Sequence, residues 1–145
     1  MKVLDTNVVS ELMRLRPEPA VLAWVDAQEP SGLWLTSTIA AELLFGVARL
    51  PDGARSRQLA VAVAGMLEQD FAGRVLAFDL SAASVYAQMV ADREHSGHGI
   101  AMADAQIAAT CVAHGATLVT RNRRHFEGWG LPLIDPWQGA AATGG

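Results

Sequence analysis

The chain predicts an α/β fold: a four- to five-stranded, mostly parallel sheet flanked by helices in three layers. Three observations predict it. Short apolar runs alternate with longer stretches of helical periodicity, the pattern of right-handed βαβ crossovers. The first run, Val3-Leu4, ends at Asp5 and passes straight into a helix-competent stretch. No repeat or linker divides the 145 residues, a length that suits one domain.

Lys2 to Leu4 reads as a buried strand, and Thr6 to Met13 as a short helix that Asp5 or Thr6 can cap. Arg14-Leu15-Arg16-Pro17-Glu18-Pro19 is a break. Pro19 to Ala27 is helical again, with Val21, Leu22 and Val25 on one face. Pro30-Ser31-Gly32 turns the chain into a second strand, Leu33 to Thr36. Ser37-Thr38 is the expected cap of a helix to about Leu50, striped by Leu43, Val47 and Leu50. Pro51-Asp52-Gly53 stops it. A long helix is expected from Arg55 to Phe71, a third strand from Arg74 to Phe78, and a helix from Ser81, its cap, to about Glu94. The polar loop His95-Ser96-Gly97-His98-Gly99 leads to a small-residue helix, Ala103 to His114, closed by Gly115. Thr117 to Thr120 is the fourth strand, and Leu131 to Ile134 is a candidate edge strand. The folded domain is expected to span residues 1–138, with 139–145 a disordered tail.

Half the residues are hydrophobic (51%), so a chain of this size buries roughly two thirds of its unfolded surface. No apolar run approaches the roughly 20 residues that span a bilayer. Asp5 interrupts any signal-peptide core, so a cytoplasmic protein is expected. The single cysteine, Cys111, excludes an internal disulfide and a thiolate zinc site. A net charge of −4 argues against a generally basic nucleic-acid binder. Ten of the eleven cations are Arg, which favours bidentate phosphate contacts but equally fits a GC-rich genome.

Three carboxylates carry the functional reading. Asp5 follows the first strand. Glu42 is expected in the first turn of the helix after the second, and Asp104 in the first turn of the helix before the fourth. In a parallel sheet these places share the carboxyl edge, where ligand and metal sites form. Crowded acids repel and raise one another's pKa; a divalent cation resolves the conflict. All-oxygen donors select Mg²⁺ or Mn²⁺, which can polarise a phosphoryl oxygen and generate hydroxide. This points to a metal-dependent nuclease. Plainer readings stand beside it: Asp5 and Asp104 as helix caps, Glu42 as a solvated acid favoured by the helix dipole. Asp104 lies in line with Ile107, Ala108 and Cys111, which a cap alone explains poorly.

Thr120-Arg121-Asn122-Arg123-Arg124-His125-Phe126 follows the fourth strand. The Thr120 hydroxyl and Asn122 amide can position a water without adding charge. Arg121, Arg123 and Arg124 can hold phosphates; a polar surface loop is the plainer reading. Thr6 and Asn7 can line the same cavity, Asn7 equally as a helix cap. His95, His98 and His114 have no metal-ligand spacing. The four tryptophans form no stacking pattern and read as core or interface.

Leu4-Asp5-Thr6-Asn7, Ala41-Glu42, Ala103-Asp104-Ala105-Gln106-Ile107-Ala108 and Thr120-Arg121-Asn122, with Phe126 beyond, fall in the order of a PIN domain. The chain resembles VapC-type toxin ribonucleases of type II toxin–antitoxin systems, in the FitB-like branch, from Lys2 to Trp137. The resemblance implies a PIN fold, Mg²⁺- or Mn²⁺-dependent endonucleolytic cleavage of RNA such as tRNA or rRNA, and a VapB-like antitoxin. It implies a homodimer, with DNA bound only through the antitoxin. It maps the metal-binding acids onto Asp5 and Asp104 and the further active-site acid onto Glu42. Many members carry a fourth acid near the end of the fourth strand, where this chain has Asn122 and His125. A catalytically inactive PIN-fold partner- or RNA-binding module is the alternative. A dehalogenase-type phosphatase would need an acid at Asn7, a receiver domain a late lysine, and a dinucleotide fold a Gly-rich first turn; the chain has none of these.

Overall fold

Five strands form one sheet in the computed structural model of the chain, which describes residues 1–138. They are β1 (Lys2–Leu4), β2 (Leu33–Thr36), β3 (Val75–Leu76), β4 (Thr117–Val119) and β5 (Leu133–Ile134), in the order β3-β2-β1-β4-β5. Every pairing is parallel. The tail expected at 139–145 lies outside the described residues. Seven α-helices connect the strands: α1 (Thr6–Leu12), α2 (Pro19–Asp26), α3 (Ser37–Ala48), α4 (Ala54–Gly65), α5 (Leu80–His95), α6 (Met102–His114) and α7 (Arg123–Phe126).

The strand order fixes where a site can form. From β1 the chain steps to β2 and then β3 on one side; it then crosses to β4 and β5 on the other. Right-handed crossovers therefore place α1 to α4 on one face and α5 to α7 on the opposite face. The direction of winding reverses between β1 and β4, so a crevice opens outside their carboxyl ends.

The core explains the apolar runs. Val3, Leu4, Leu35, Leu118 and Val119 are buried in the strands, as in a parallel sheet covered on both faces. Val8, Val9, Val21, Ile39 and Val63 cover one face, and Ala105, Ile107, Ala108 and Cys111 of α6 the other. Trp129 is buried, and Trp24, Trp34 and Trp137 pack against the core. Among the described residues no helix is long and apolar enough to cross a membrane.

Several boundaries differ from expectation. The cap of α3 is Thr36, whose Oγ1 accepts from the Ile39 N–H at 3.1 Å. Ser37 instead accepts from the Phe78 N–H (3.2 Å), and Thr38 donates to Gln106 of α6 (3.2 Å). The cap of α5 is Asp79, not Ser81: its Oδ1 accepts from the Ala82 N–H at 2.9 Å, and a carboxylate suits a helix N-terminus. The expected long helix is two pieces, α4 and a single wider π-type turn at Met66–Asp70. β3 is only two residues long. Gly115 ends α6 at φ 66°, in the left-handed region. Glu11 is an unanticipated buried acid: it accepts from the Glu18 N–H (3.0 Å) and faces Arg14 (3.3 Å), tying down the α1–α2 connection.

Candidate active site

Asp5 is the first residue beyond β1. Its N–H donates to the Val119 carbonyl at 2.9 Å, which locks it to the end of β4 at the switch point. The side chain is buried, only 5% exposed. Oδ1 accepts from the Thr6 N–H at 2.9 Å, so Asp5 does cap α1. Oδ2 accepts from the Thr120 hydroxyl at 2.7 Å and from the Asn7 amide at 3.3 Å. The capping and site readings therefore describe the two edges of one carboxylate.

The other predicted residues gather around it unevenly. Thr6 donates from Oγ1 to Glu42 Oε1 at 2.6 Å, linking α1 to α3. Because α3 begins at Ser37, Glu42 sits in its second turn, not the first. Asp104 is in the first turn of α6, with its side chain 27% exposed. Thr120 also accepts from the Asn122 N–H (3.0 Å), and Asn7 Oδ1 accepts from the Arg121 N–H (3.4 Å). Asn122 thus joins through its backbone; its side chain is exposed and lies outside this network.

The electrostatics follow from this packing. Burial pushes the Asp5 carboxyl above its ordinary 3.8, and the charges of Glu42 and Asp104 push the same way. The bonds from Thr120 and Thr6 oppose the rise. The Cys111 thiol, buried on α6, is pushed up to about 12, by burial first and by Asp5 second. It is a neutral packing group, not a nucleophile.

Could these residues hold a metal? Among the described residues no three His, Cys, Asp or Glu side chains are grouped to enclose an ion. Mg²⁺ does not need such a cage: it keeps several waters and binds through one or two carboxylates. Glu42 Oε2 and Asp104 Oδ1 have no protein hydrogen bond among the described residues, and Asp5 Oδ1 takes only one. Burial first, and the charges of Glu42 and Asp104 after it, disfavour the Asp5 anion, and a cation would relieve both. The donor set fits a hard divalent ion.

Beside the acids, Arg121, Asn122, Arg123, Arg124 and His125, with Glu127 and Asp135 at its edge, line an open cleft of about 540 Å³. Arg121 lies over the Trp137 ring, 4.9 Å from its centroid, while Arg123 and Arg124 are exposed. Sequence reasoning missed the place of His125, whose Nδ1 is 3.4 Å from Asp104 Oδ2. Phe126 beside it is buried and anchors α7; one aromatic at the end of a basic run was the available signal.

A parallel sheet with acids at its switch point defines a PIN-type domain. Residues 2–128 match the sequence profile of the PIN domain. The chain is 47% identical to VapC ribonuclease Y4jK of Sinorhizobium fredii over 97% of its length and 100% of that protein. It is 37% identical to Toxin FitB of Neisseria gonorrhoeae, over 94% of this chain and 99% of the relative. Among solved structures, that of FitAB bound to an IR36 DNA fragment superposes with a TM-score of 0.88 at 36% identity, covering 94% of this chain and 96% of that one. The chain belongs to the PIN-domain family and, within it, to the group of the VapC and FitB toxins.

Proposed function

We propose that the chain is the toxin of a toxin–antitoxin pair, a Mg²⁺- or Mn²⁺-dependent endoribonuclease that cuts structured RNA such as tRNA or rRNA. The observation that carries this is the Asp5 carboxylate, buried at the switch point between β1 and β4 and facing the charges of Glu42 and Asp104. The ribonuclease named for the relative at 47% identity supports the activity, and FitAB, solved with DNA, supports an antitoxin partner that carries DNA binding. A homodimer working in the cytoplasm, with the domain spanning residues 1–138, completes the reading.

Asp5 and Asp104 are the metal ligands, and Glu42 orients the ion or its water. Bound there, the ion would supply a Lewis acid for the phosphoryl oxygen and acidify a water. Thr120 holds the Asp5 carboxylate in place through its 2.7 Å bond. Thr6 does the same for Glu42, and Asn7 braces Asp5 against the Arg121 loop. Arg121 and Arg123 take phosphates on either side of the cut, Arg124 holds RNA from the same loop, and Asn122 faces the substrate beside them. Single-stranded loops are the favoured targets, because their bases can be splayed out.

An inactive binding module is the rival. The carboxylates argue against it: capping α1 accounts for Asp5, but not for Glu42 and Asp104 standing where their charges oppose it. The test is cleavage of total RNA by partner-free protein in Mg²⁺, Mn²⁺ or EDTA. Discrete metal-dependent fragments, absent for Asp5→Asn and Asp104→Asn, are expected. No fragments from folded wild type in either metal would leave the binding module standing.

A further inference from the structure

A second cleft, of about 590 Å³, lies between the end of α5 and the segment around α7. It shares Arg124 and Glu127 with the cleft beside the acids, so the two are contiguous around the single turn of α7. Its floor is fixed. Arg93 donates from Nη1 to the Glu127 carbonyl (3.1 Å) and lies over the Trp129 ring, 5.7 Å from the centroid. Gly128 turns the chain there at φ 87°, in the left-handed region that favours glycine.

The walls are charged in both senses and uncommitted. Among the described residues the ion pairs are Glu11–Arg14, Asp52–Arg57, Asp79–His114 and Asp104–His125. Asp92, Arg124 and Glu127 belong to none of them. The Asp92 carboxylate accepts only from Gln88 on its own helix, at 3.1 Å. In the cleft beside the acids Asp135 is taken up by the Trp137 N–H and the Gln138 amide; here, among the described residues, neither the Asp92 nor the Glu127 carboxylate meets a donor from another element, which a cleft built for phosphate alone would not keep. A ligand that suits it presents paired donors on one edge and paired acceptors on another. Guanine does both: N1–H and the N2 amine can donate to a carboxylate, and O6 and N7 accept two bonds from one guanidinium. Adenine, cytosine and uracil lack that combination.

We infer that this cleft is a guanine subsite for the nucleotide flanking the cut, with Arg124 on the O6/N7 edge and Asp92 or Glu127 on the N1/N2 edge. The inference deepens the ribonuclease reading and rests on it for the identity of the ligand as RNA. It makes the α5–α7 cleft the determinant of sequence preference and leaves the acids to the chemistry.

The test measures binding by fluorescence anisotropy in an Asp5→Asn background, with short single-stranded RNAs carrying one guanosine or, in its place, inosine, which lacks the N2 amine. The guanosine RNA should bind about tenfold more tightly, the discrimination of one bidentate pair. An Asp92→Asn/Glu127→Gln double substitution should erase the difference, weakening guanosine RNA more than inosine RNA, which keeps only the N1–H donor; both residues are exposed, so folding is unaffected. Equal affinities, a preference that survives the double substitution, or no RNA binding overturns the inference. Cleavage by protein with Asp5 intact is assayed alongside. Cleavage without guanine preference sinks the subsite alone, and guanine preference without metal-dependent cleavage sinks the nuclease reading alone.

Discussion

Replacing Thr120 by Val keeps the shape of a fully buried side chain and removes its hydroxyl. That hydroxyl donates at 2.7 Å to the buried Asp5 carboxylate and accepts from the Asn122 N–H at 3.0 Å. A hydrogen bond to a charged group contributes about 1.5–3 kcal/mol, against about 0.5–1.5 kcal/mol for a neutral pair. The Asn122 N–H lies in an exposed stretch and turns to water, so the loss falls on Asp5. With Asp5 ionised, the variant should lose about 1.5–3 kcal/mol; at about 2–4 °C per kcal/mol for a domain near this size, Tm falls by about 3–12 °C. As the pH drops and Asp5 takes up a proton, the bond becomes a neutral one and the deficit should roughly halve. Thermal unfolding followed by circular dichroism from neutral pH down to about pH 3, below the ordinary carboxyl value, reads both quantities. An unchanged Tm across the range, or a deficit that stays constant throughout it, would refute the idea that this hydroxyl supports a buried carboxylate.

Asp5→Asn should abolish cleavage yet stabilise the metal-free fold. The folded pKa of Asp5 is raised above 3.8, so its ionisation penalty is absent below that pH and complete once the pH passes the raised value. The gain in Tm should therefore grow as the pH rises past the raised value and fade below about pH 4, and Mg²⁺ should raise the Tm of wild type only; a variant no more stable than wild type at pH 7 without metal would contradict the cost of burying this charge. Glu11→Ala should cost about 1–3 kcal/mol through the unmet Glu18 N–H, seen as a lower midpoint in urea; an unmoved midpoint would reduce the contact to decoration. Gly115→Ala should cost about 1 kcal/mol. No atom lies within 4 Å of a Cβ there, so the penalty is backbone strain alone and Asn should recover part of it; equal stability of all three would speak against the left-handed cap.

What was legible in the chain was whatever local pattern decides. Val3-Leu4-Asp5 announced a buried strand ending at the carboxyl edge, and Gly115 announced the end of α6. The parallel order followed from alternation of strands and helices. Caps were less legible, because Thr36, Ser37 and Thr38 all carry hydroxyls and only tertiary partners assign them. Thr36 takes the cap, while Phe78 and Gln106 claim the other two. The π-type turn at Met66–Asp70 interrupts an apolar periodicity that continues through it, so no residue marked it. Of the site, the acids and Thr120 were readable from their order along the chain. The contact of His125 with Asp104 and the seat of Arg121 on Trp137 were not, since both depend on how α7 and the last turn fold back.

The pairing of Asp5 with Thr120 joins positions 115 apart. A chain emerging from the ribosome can set β1 beside β2 early, but β1 keeps an open edge on its other side until β4 has been made. Until then Asp5 has neither the Val119 carbonyl to fix its backbone nor the hydroxyl to hold its carboxylate. Closing contacts of such long separation is slow compared with local helix formation. The crevice is thus finished only when most of the polypeptide exists, and a truncated or newly started copy is unarmed. For a protein whose proposed work is to cut the RNA of its own cell, the winding of the sheet acts as a safety catch on its synthesis.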